Sequence, residues 1–161
     1  MKDSRTFIDA STIIALASIG ELNFLKKIFE EINITPHVRS EILVENYPET
    51  NRISEAIGEW MKVIEINENN LKKYEKHGLG KGESSIIDIA RKDDRLVLDD
   101  PVARNVAKVN GLNFTGLIGL IVEASHAGLI SSERGKKILD KLSSSDFRMT
   151  SELYNWAIKR L

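Results

Sequence analysis

Short apolar runs alternate along this chain with segments that have the spacing of amphipathic helices. Apolar runs that predict strands occupy residues 6–10, 32–34, 63–66, 96–98 and 112–114. Each run is shorter than an ordinary helix. Strands that alternate with helices favour a parallel sheet with helices on both faces, and we expect that architecture here.

The helical segments are predicted from apolar positions three and four residues apart and from capping signals. Thr35 and Pro36 are a typical helix start, and Gly78 and Gly111 are typical helix ends. The segment ENYPETN, residues 45–51, is predicted to be a loop. The predicted helices cover residues 11–18, 22–31, 36–44, 53–60, 71–77, 82–92, 101–110, 116–129, 131–142 and 150–161.

The length of 161 residues suits one ordinary domain. We expect a single domain over residues 1–161, with the C-terminal helices from about residue 131 packed on it. The 23 Lys and Arg residues nearly balance the 24 Asp and Glu residues, so the formal net charge is −1. Bulk charge therefore does not indicate nucleic-acid binding, which would need a local basic patch or a bound cation.

The chain contains no cysteine, which excludes disulfides, zinc–thiolate sites and thiol catalysis. A cytoplasmic location is the simplest explanation of this composition. Asp9 interrupts the apolar start of the chain, and no apolar run approaches the ~20 residues that a membrane span needs. We therefore expect a cytoplasmic protein without a membrane segment.

Carboxylates lie at the carboxyl ends of two of the predicted strands. Asp9 lies within the apolar sequence FIDAST, and Asp99 and Asp100 follow Leu98. In parallel sheets, ligands bind outside the carboxyl ends of the strands, where the strand order reverses. A buried Asp9 needs donors or a cation, and a helix N-cap is the alternative explanation. One of Asp99 and Asp100 can cap the helix that begins at Pro101, which leaves the other without a structural role.

Two glutamates lie near the apolar faces of predicted helices. Glu41 lies in TPHVRSEI; alternatively, its head group reaches water or pairs with His37. Glu83 begins the helix GESSIIDIARK, where a carboxylate also interacts favourably with the helix dipole. If these glutamates meet the aspartates at one edge of the sheet, their mutual repulsion requires bound protons or a cation. An all-oxygen ligand set favours Mg²⁺ or Mn²⁺ over zinc.

Four motifs occur in the order FIDAST, TPHVRSEI, GKGESSIIDIA and LVLDDPVARNVAKVNGLNFTG. In this order they resemble the PIN-domain family, most closely its small prokaryotic branch related to toxin ribonucleases of type II toxin–antitoxin pairs. The resemblance covers about residues 6–130. It implies a three-layer α/β/α sandwich with a central parallel sheet, metal-dependent hydrolysis of RNA, a homodimer and, for a toxin, an antitoxin protein as partner.

The resemblance also implies roles for individual acidic residues. The family's four acidic positions are matched in chain order by Asp9, Glu41, Glu83 and Asp100, with Asp99 beside the last. Asp9 and Asp100 are expected to bind Mg²⁺ or Mn²⁺ directly. Glu41 and Glu83 are expected to hold metal-bound waters or a second ion, and Asp99 to orient the other carboxylates.

Five further residues are candidates for RNA contacts. Ser11 matches a small polar residue of the family that helps to hold metal or phosphate. Arg104 and Lys108 lie one turn apart on the helix after Asp99 and Asp100, and with Arg39 and Lys81 they are candidates for binding the RNA backbone. For the four basic residues, a solvated surface position is the alternative. No sequence feature specifies a preferred RNA.

Other kinds of site agree less well with the spacing. GLGKGESS lacks the GxxxxGK[ST] pattern of a phosphate-binding loop, and a haloacid dehalogenase would need aspartate where Ser11 stands. A receiver domain would need a lysine after a late strand, where the chain has Phe114, Thr115 and Gly116. The alternative from another class is a non-catalytic PIN-like module that binds RNA or a protein.

Overall fold

A central sheet organises the computed structural model, which describes residues 4–44 and 47–161. The strands are β1 (Thr6–Ile8), β2 (Ile32–Ile34), β3 (Met61–Val63), β4 (Arg95–Val97) and β5 (Asn113–Thr115). They form one five-stranded sheet in the order β3-β2-β1-β4-β5, and every neighbouring pair is parallel. The predicted parallel sheet and the α/β/α architecture are confirmed.

Helices connect the strands and follow the last of them. Before β4 they are α1 (Ala10–Ser18), α2 (Asn23–Phe29), α3 (Pro36–Ile42), α4 (Glu49–Glu59), the one-turn α5 (Lys72–Glu75) and α6 (Lys81–Ile89). After β4 they are α7 (Pro101–Val109), α8 (Leu117–His126), α9 (Ser132–Ser143) and α10 (Ser151–Ile158).

The first half of the chain departs from the predicted boundaries at several elements, including α2, which was predicted over residues 22–31 and ends at Phe29. The predicted first strand extended to residue 10, but Asp9 caps α1, which begins at Ala10. Helix α4 begins at Glu49, inside the predicted loop, because Pro48 has helical backbone angles and proline is tolerated at a helix start. Glu45 and Asn46 of that segment lie outside the described residues. Helix α3 ends at Ile42, short of the predicted end.

Two further differences follow from pairing and turn chemistry. Strand β3 lies earlier than predicted, because its register pairs Ile32 with Met61 and Ile34 with Val63. The predicted helix 71–77 is only the short α5, preceded by a 3₁₀ turn at Glu68–Asn70. The Asn67 side chain accepts a hydrogen bond from Asn69 N at 3.1 Å, which favours a turn over a longer helix.

The direction of the connections reverses beside β1. Right-handed crossovers place the β1–β2 and β2–β3 connections on one face of the sheet and the β3–β4 and β4–β5 connections on the other. The reversal lies between the adjacent strands β1 and β4, where Ile8 pairs with Val97. The crevice beyond the carboxyl ends of these two strands is the topological switch point of the sheet.

The C-terminal helices pack against the body that carries the sheet. Helix α8 contacts α9 and α10. Glu21 is 3% exposed and accepts hydrogen bonds from Arg134 and from Lys141 Nζ at 2.6 Å, which joins the segment before α2 to α9. None of the helices in residues 4–44 and 47–161 has both the length and the apolar character that a membrane crossing requires.

Candidate functional site

Asp9 joins the ends of β1 and β4. It is 2% exposed, and its Oδ1 accepts a hydrogen bond from Thr12 N at 3.0 Å, so it is the N-cap of α1. Its Oδ2 accepts a second hydrogen bond from Asp99 N at 2.9 Å. The N-cap interpretation of Asp9 is therefore correct, and the same carboxylate also holds the end of β4.

The electrostatic environment of Asp9 disfavours its charged form. Burial raises the pKa of Asp9 to about 6, and the negative charge of Asp99 acts in the same direction. The hydrogen bonds from Thr12 and from Asp99 N partly oppose this shift. A buried carboxylate beside a second carboxylate is a place where a cation would be favoured.

Asp99 and Asp100 have different roles. Asp100 caps α7, because its Oδ2 accepts from Ala103 N at 2.9 Å. Asp99 Oδ2 accepts from the Thr12 hydroxyl at 2.8 Å, and its Oδ1 accepts from Leu117 N at 3.2 Å. Asp99 thus connects the starts of α1 and α8, and the prediction that one of the pair caps the helix holds for Asp100.

Glu41 and Glu83 form a second pair of carboxylates where α3 meets α6. Glu41 is exposed, and its Oε1 accepts from Gly82 N at 3.2 Å. Burial raises the pKa of Glu41, and the charge of Glu83 raises it further. His37, the alternative partner of Glu41, has its Nε2 2.9 Å from Glu68 Oε1 instead.

Glycine and two hydroxyls permit this close approach of α3 and α6. A Cβ at Gly82 would lie 2.8 Å from both carboxylate oxygens of Glu41. Between the same two helices, the buried hydroxyls of Thr35 and Ser85 are 2.6 Å apart and share a hydrogen bond. These contacts allow Glu41 to lie against the start of α6.

A cleft of about 1960 Å³ opens over the two pairs of interacting carboxylates, Asp9 with Asp99 and Glu41 with Glu83. Among the residues considered for function, it is lined by Ser11, Glu41, Glu83, Asp99, Asp100 and Arg104, whereas the buried Asp9 does not line it. Arg104 is the basic candidate that lies in the cleft. Arg39, Lys81 and Lys108 are exposed side chains outside the cleft lining.

Arg104 and Asp99 both approach Gly116, at the start of α8. A Cβ at Gly116 would be 2.5 Å from Arg104 Nη2 and 3.3 Å from Asp99 Oδ1, so glycine is required for both side chains to lie there. The guanidinium carbon of Arg104 is 5.9 Å from the centre of the Phe114 ring. The cleft therefore contains the positively charged guanidinium of Arg104 as well as carboxylates.

The carboxylate oxygens are ligands of the type that a hard divalent cation prefers, but their arrangement is not a complete coordination site. In the described ranges, no group of three or more acidic or histidine side chains is arranged to hold a metal ion. The donors are all oxygen, as Mg²⁺ and Mn²⁺ prefer. Repulsion within each pair contributes to the raised pKa of Asp9 and of Glu41. A cation near either pair would relieve that repulsion, and direct coordination by three carboxylates would require side chains to move.

Sequence reasoning did not identify three residues of this arrangement. Thr12, Gly82 and Gly116 do not carry the chemistry themselves, but they position Asp99, Glu41 and Arg104. Thr12 could have been found as the residue three positions after the capping Asp9. The glycines gave no such signal, because the side chains that approach them come from distant parts of the chain.

Comparison with known proteins agrees with this arrangement of fold and site. Neither the curated proteins nor the solved structures include a match to the chain. A family model described as a PIN domain matches residues 5–161, which is nearly the whole chain. Because the match spans both the sheet and the elements that carry the carboxylates, the chain belongs to the PIN-domain family.

Proposed function

We propose that this chain is a metal-dependent endoribonuclease that hydrolyses RNA phosphodiesters at the cleft over the carboxylates. The chain belongs to the PIN-domain family, and PIN domains are generally nucleases. The observation that carries the proposal is the contact of the buried Asp9 with Asp99 at the switch point of the sheet. The hydrogen bonds that Asp9 accepts from Thr12 N and Asp99 N do not require the charge of a second carboxylate nearby, whereas phosphodiester hydrolysis at a bound cation does.

The proposed metal site uses the carboxylates of both pairs. Asp9, Asp99 and Asp100 would hold Mg²⁺ or Mn²⁺, and Glu41 and Glu83 would hold its water ligands or a second ion. A bound ion of this kind lowers the pKa of a coordinated water and stabilises charge on phosphate oxygens.

The other residues of the cleft bind and orient the RNA. Arg104 approaches Gly116, as Asp99 does, and its guanidinium can pair there with a phosphate of the RNA, while Ser11 offers a hydroxyl from the first turn of α1. Arg39, Lys81 and Lys108 would contact more distant phosphates, outside the cleft. Thr12 and Leu117 N hold the Asp99 carboxylate in one orientation.

The test is cleavage of end-labelled single-stranded RNAs in Mg²⁺, Mn²⁺ or EDTA. The wild type is compared with Asp100→Asn, because asparagine retains the cap of α7 and removes only the charge. Asp93→Asn is the matched control, since Asp93 is exposed and lies outside the cleft lining. We expect cleavage that requires a divalent ion, is lost in Asp100→Asn and is unchanged in Asp93→Asn. Equal metal-dependent cleavage by all three proteins would refute this site.

A second candidate function is a non-catalytic module that binds RNA or a protein. The observation that favours it is the lack of a ready-made group of three metal ligands in the described residues. Binding of RNA without cleavage in either ion would support this candidate.

Three finer properties belong to the same proposal. The protein is the toxin of a toxin–antitoxin pair with a small antitoxin as partner, it forms a homodimer, and it acts in the cytoplasm. Light scattering of the purified protein tests the dimer. Growth arrest on expression, relieved by a neighbouring small reading frame, tests the toxin role.

A further inference from the structure

We propose that the end of the cleft remote from the carboxylates is a stacking surface for the bases of single-stranded RNA, centred on Trp156. This inference rests on the proposed function, and it names the part of the RNA that the cleft holds away from the scissile phosphate. We call the surface formed by Phe147, Arg148, Trp156 and Arg160 the aromatic wall.

Helix α8 connects the carboxylates with the aromatic wall along one continuous cleft. Its first N–H group, at Leu117, donates to Asp99, and at its other end His126 Nε2 contacts Arg160 O at 2.5 Å. Its ten residues extend about 15 Å, the length of roughly four stacked nucleotides at ~3.4 Å each. Between the two ends, the cleft is lined by Ile118, Gly119, Val122 and Glu123.

Trp156 is not needed for the core. It is 39% exposed, whereas the other tryptophan, Trp60, is 6% exposed within the core. On α10 the buried residue is the neighbouring Ala157. Leu153, one turn before it on α10, is 37% exposed and lines the same cleft, and adjacent exposed apolar side chains on a cleft wall mark a surface that another molecule covers.

Arg160 prepares the indole ring for a flat, anionic ligand. Its guanidinium carbon lies 4.5 Å from the centre of the Trp156 ring, and its Nη1 donates to Trp156 O at 3.0 Å. The guanidinium therefore lies over one face of the ring and places a positive charge next to the indole. Aromatic rings with adjacent cations bind single-stranded nucleic acids, because bases stack on the ring and phosphates pair with the charge.

The local charge also suits a polyanionic ligand such as RNA. Arg148 and Arg160 have no carboxylate partner among the described residues. Of the two acidic side chains nearby on the cleft lining, Glu123 is paired with Arg95, and Asp146 remains. Because the whole chain is nearly neutral, such a local concentration of guanidinium groups is needed for a phosphate backbone to bind.

The first experiment measures binding in EDTA, so that no cleavage occurs. The probes are a short single-stranded oligouridylate and a ribose-phosphate strand of the same length without bases. We expect Trp156→Ala to weaken oligouridylate binding about tenfold, the order expected for one lost base–aromatic stack. Trp156→Phe should recover most of the affinity. Val109→Ala, which truncates an 87% exposed side chain outside the cleft lining, should bind as the wild type does.

Binding of the strand without bases should be the same for the wild type and for Trp156→Ala. Tryptophan fluorescence gives an independent readout, because Trp60 is buried and Trp156 is the accessible emitter. Oligouridylate should quench the wild-type emission, and this quenching should be absent in Trp156→Phe. The fluorescence arm applies even if Trp156→Ala fails to fold.

The outcomes separate this inference from the proposed function. If the wild type cleaves RNA, and Trp156→Ala binds oligouridylate equally well without quenching in the wild type, the stacking surface is refuted and the nuclease stands. If Trp156→Ala weakens binding but no protein cleaves in Mg²⁺ or Mn²⁺, the stacking surface stands and the nuclease fails. Absence of RNA binding by the wild type in EDTA refutes the stacking surface and leaves a protein segment as the occupant of the aromatic wall, whereas the nuclease is decided by cleavage in Mg²⁺ or Mn²⁺.

Discussion

The Asp9 carboxylate accepts the backbone N–H of Asp99 at 2.9 Å, so the first residue after β1 fixes the second residue beyond β4. One carboxylate thereby caps a helix, ties two strand ends together and lies beside the charge of Asp99. The structural role of Asp9 and its proposed role in metal binding meet in this one side chain, and substitutions there can be chosen to separate them.

Asp9→Asn and Asp9→Ala should differ in stability but not in activity. Alanine leaves the N–H groups of Thr12 and Asp99 without acceptors, whereas asparagine retains one oxygen for one of them. Since each buried donor left unpaired costs about 1–3 kcal/mol, Asp9→Ala should be less stable than Asp9→Asn by at least about 1 kcal/mol. Urea unfolding measures the difference.

Neither Asp9 variant should cleave RNA, because both remove the carboxylate charge. Equal stability of the two would show that the hydrogen bonds of Asp9 contribute little to folding. Wild-type cleavage by Asp9→Asn would remove Asp9 from the proposed metal site.

Gly82→Ala should impair the site while hardly affecting the fold. The new Cβ would lie 2.8 Å from both Glu41 oxygens, and the exposed Glu41 side chain can swing away into solvent. We expect a loss of stability below about 1 kcal/mol, offset in part by the better helix propensity of alanine, and at least a tenfold loss of cleavage.

Gly58→Ala is the matched control for Gly82→Ala. Gly58 lies in α4, and a Cβ there has no atom within 4 Å, so alanine should stabilise the protein by about 0.4–1 kcal/mol without changing cleavage. Thermal unfolding and initial cleavage rates of both variants test the pair. Full activity of Gly82→Ala would show that the position of Glu41 is unimportant.

Patterns in the sequence predict the carboxylates well because their positions follow local rules. Asp9 comes directly after a short apolar strand, Asp100 lies three residues beyond another, and both cap helices, so periodicity and capping signals place both at the same sheet edge. Glu83 is placed in the same way, as a first-turn residue of α6. That β1 and β4 are neighbours in the sheet comes from the structure and not from these local signals.

Local sequence patterns do not predict tertiary hydrogen bonds or the positions that long side chains take. The bond from Asp99 N to Asp9 joins residues far apart in the chain, and no local pattern distinguishes Asp99 from Asp100 as its donor. Arg104 and Lys108 are one turn apart on α7, yet Arg104 lines the cleft and Lys108 does not. Trp156 likewise resembles a core residue by sequence, and the packing of α10 leaves it exposed.

Thr12→Val should reduce cleavage while retaining the fold. Thr12 is fully buried and donates its hydroxyl hydrogen to Asp99 at 2.8 Å, and valine has nearly the same shape without a donor. We expect at least a tenfold loss of cleavage with a loss of stability of about 1–2 kcal/mol. Thr12→Ser, which keeps the hydroxyl, should recover most of the cleavage.

The metal dependence of cleavage distinguishes positioning by Thr12 from a purely structural role. If Thr12 orients Asp99, Thr12→Val should need a higher Mn²⁺ concentration for half-maximal cleavage than Thr12→Ser. The same Mn²⁺ dependence in both variants would mean that Thr12 serves only the packing of α1.

The buried Glu21 should make stability depend on pH in the acid range. Burial alone would raise its pKa, but the hydrogen bonds and charges of Lys141 and Arg134 outweigh burial and lower the pKa of Glu21 below its ordinary value of 4.5. A carboxylate with a lowered pKa in the folded state contributes stability that is complete above about pH 4.5 and is lost as the pH falls through the folded-state value.

Glu21→Gln tests this contribution by difference. At pH 7 the variant should be less stable than the wild type by about 1–2 kcal/mol, since Arg134 and Lys141 are themselves about half exposed and solvent screens the pair. Asp94 has a lowered pKa beside Arg5 in both proteins, so its effect cancels in the comparison. The stability difference, measured by urea unfolding from pH 7 down to pH 3, should shrink below pH 4.5. A difference that is independent of pH would mean that packing, and not the charge of Glu21, holds α9 in place.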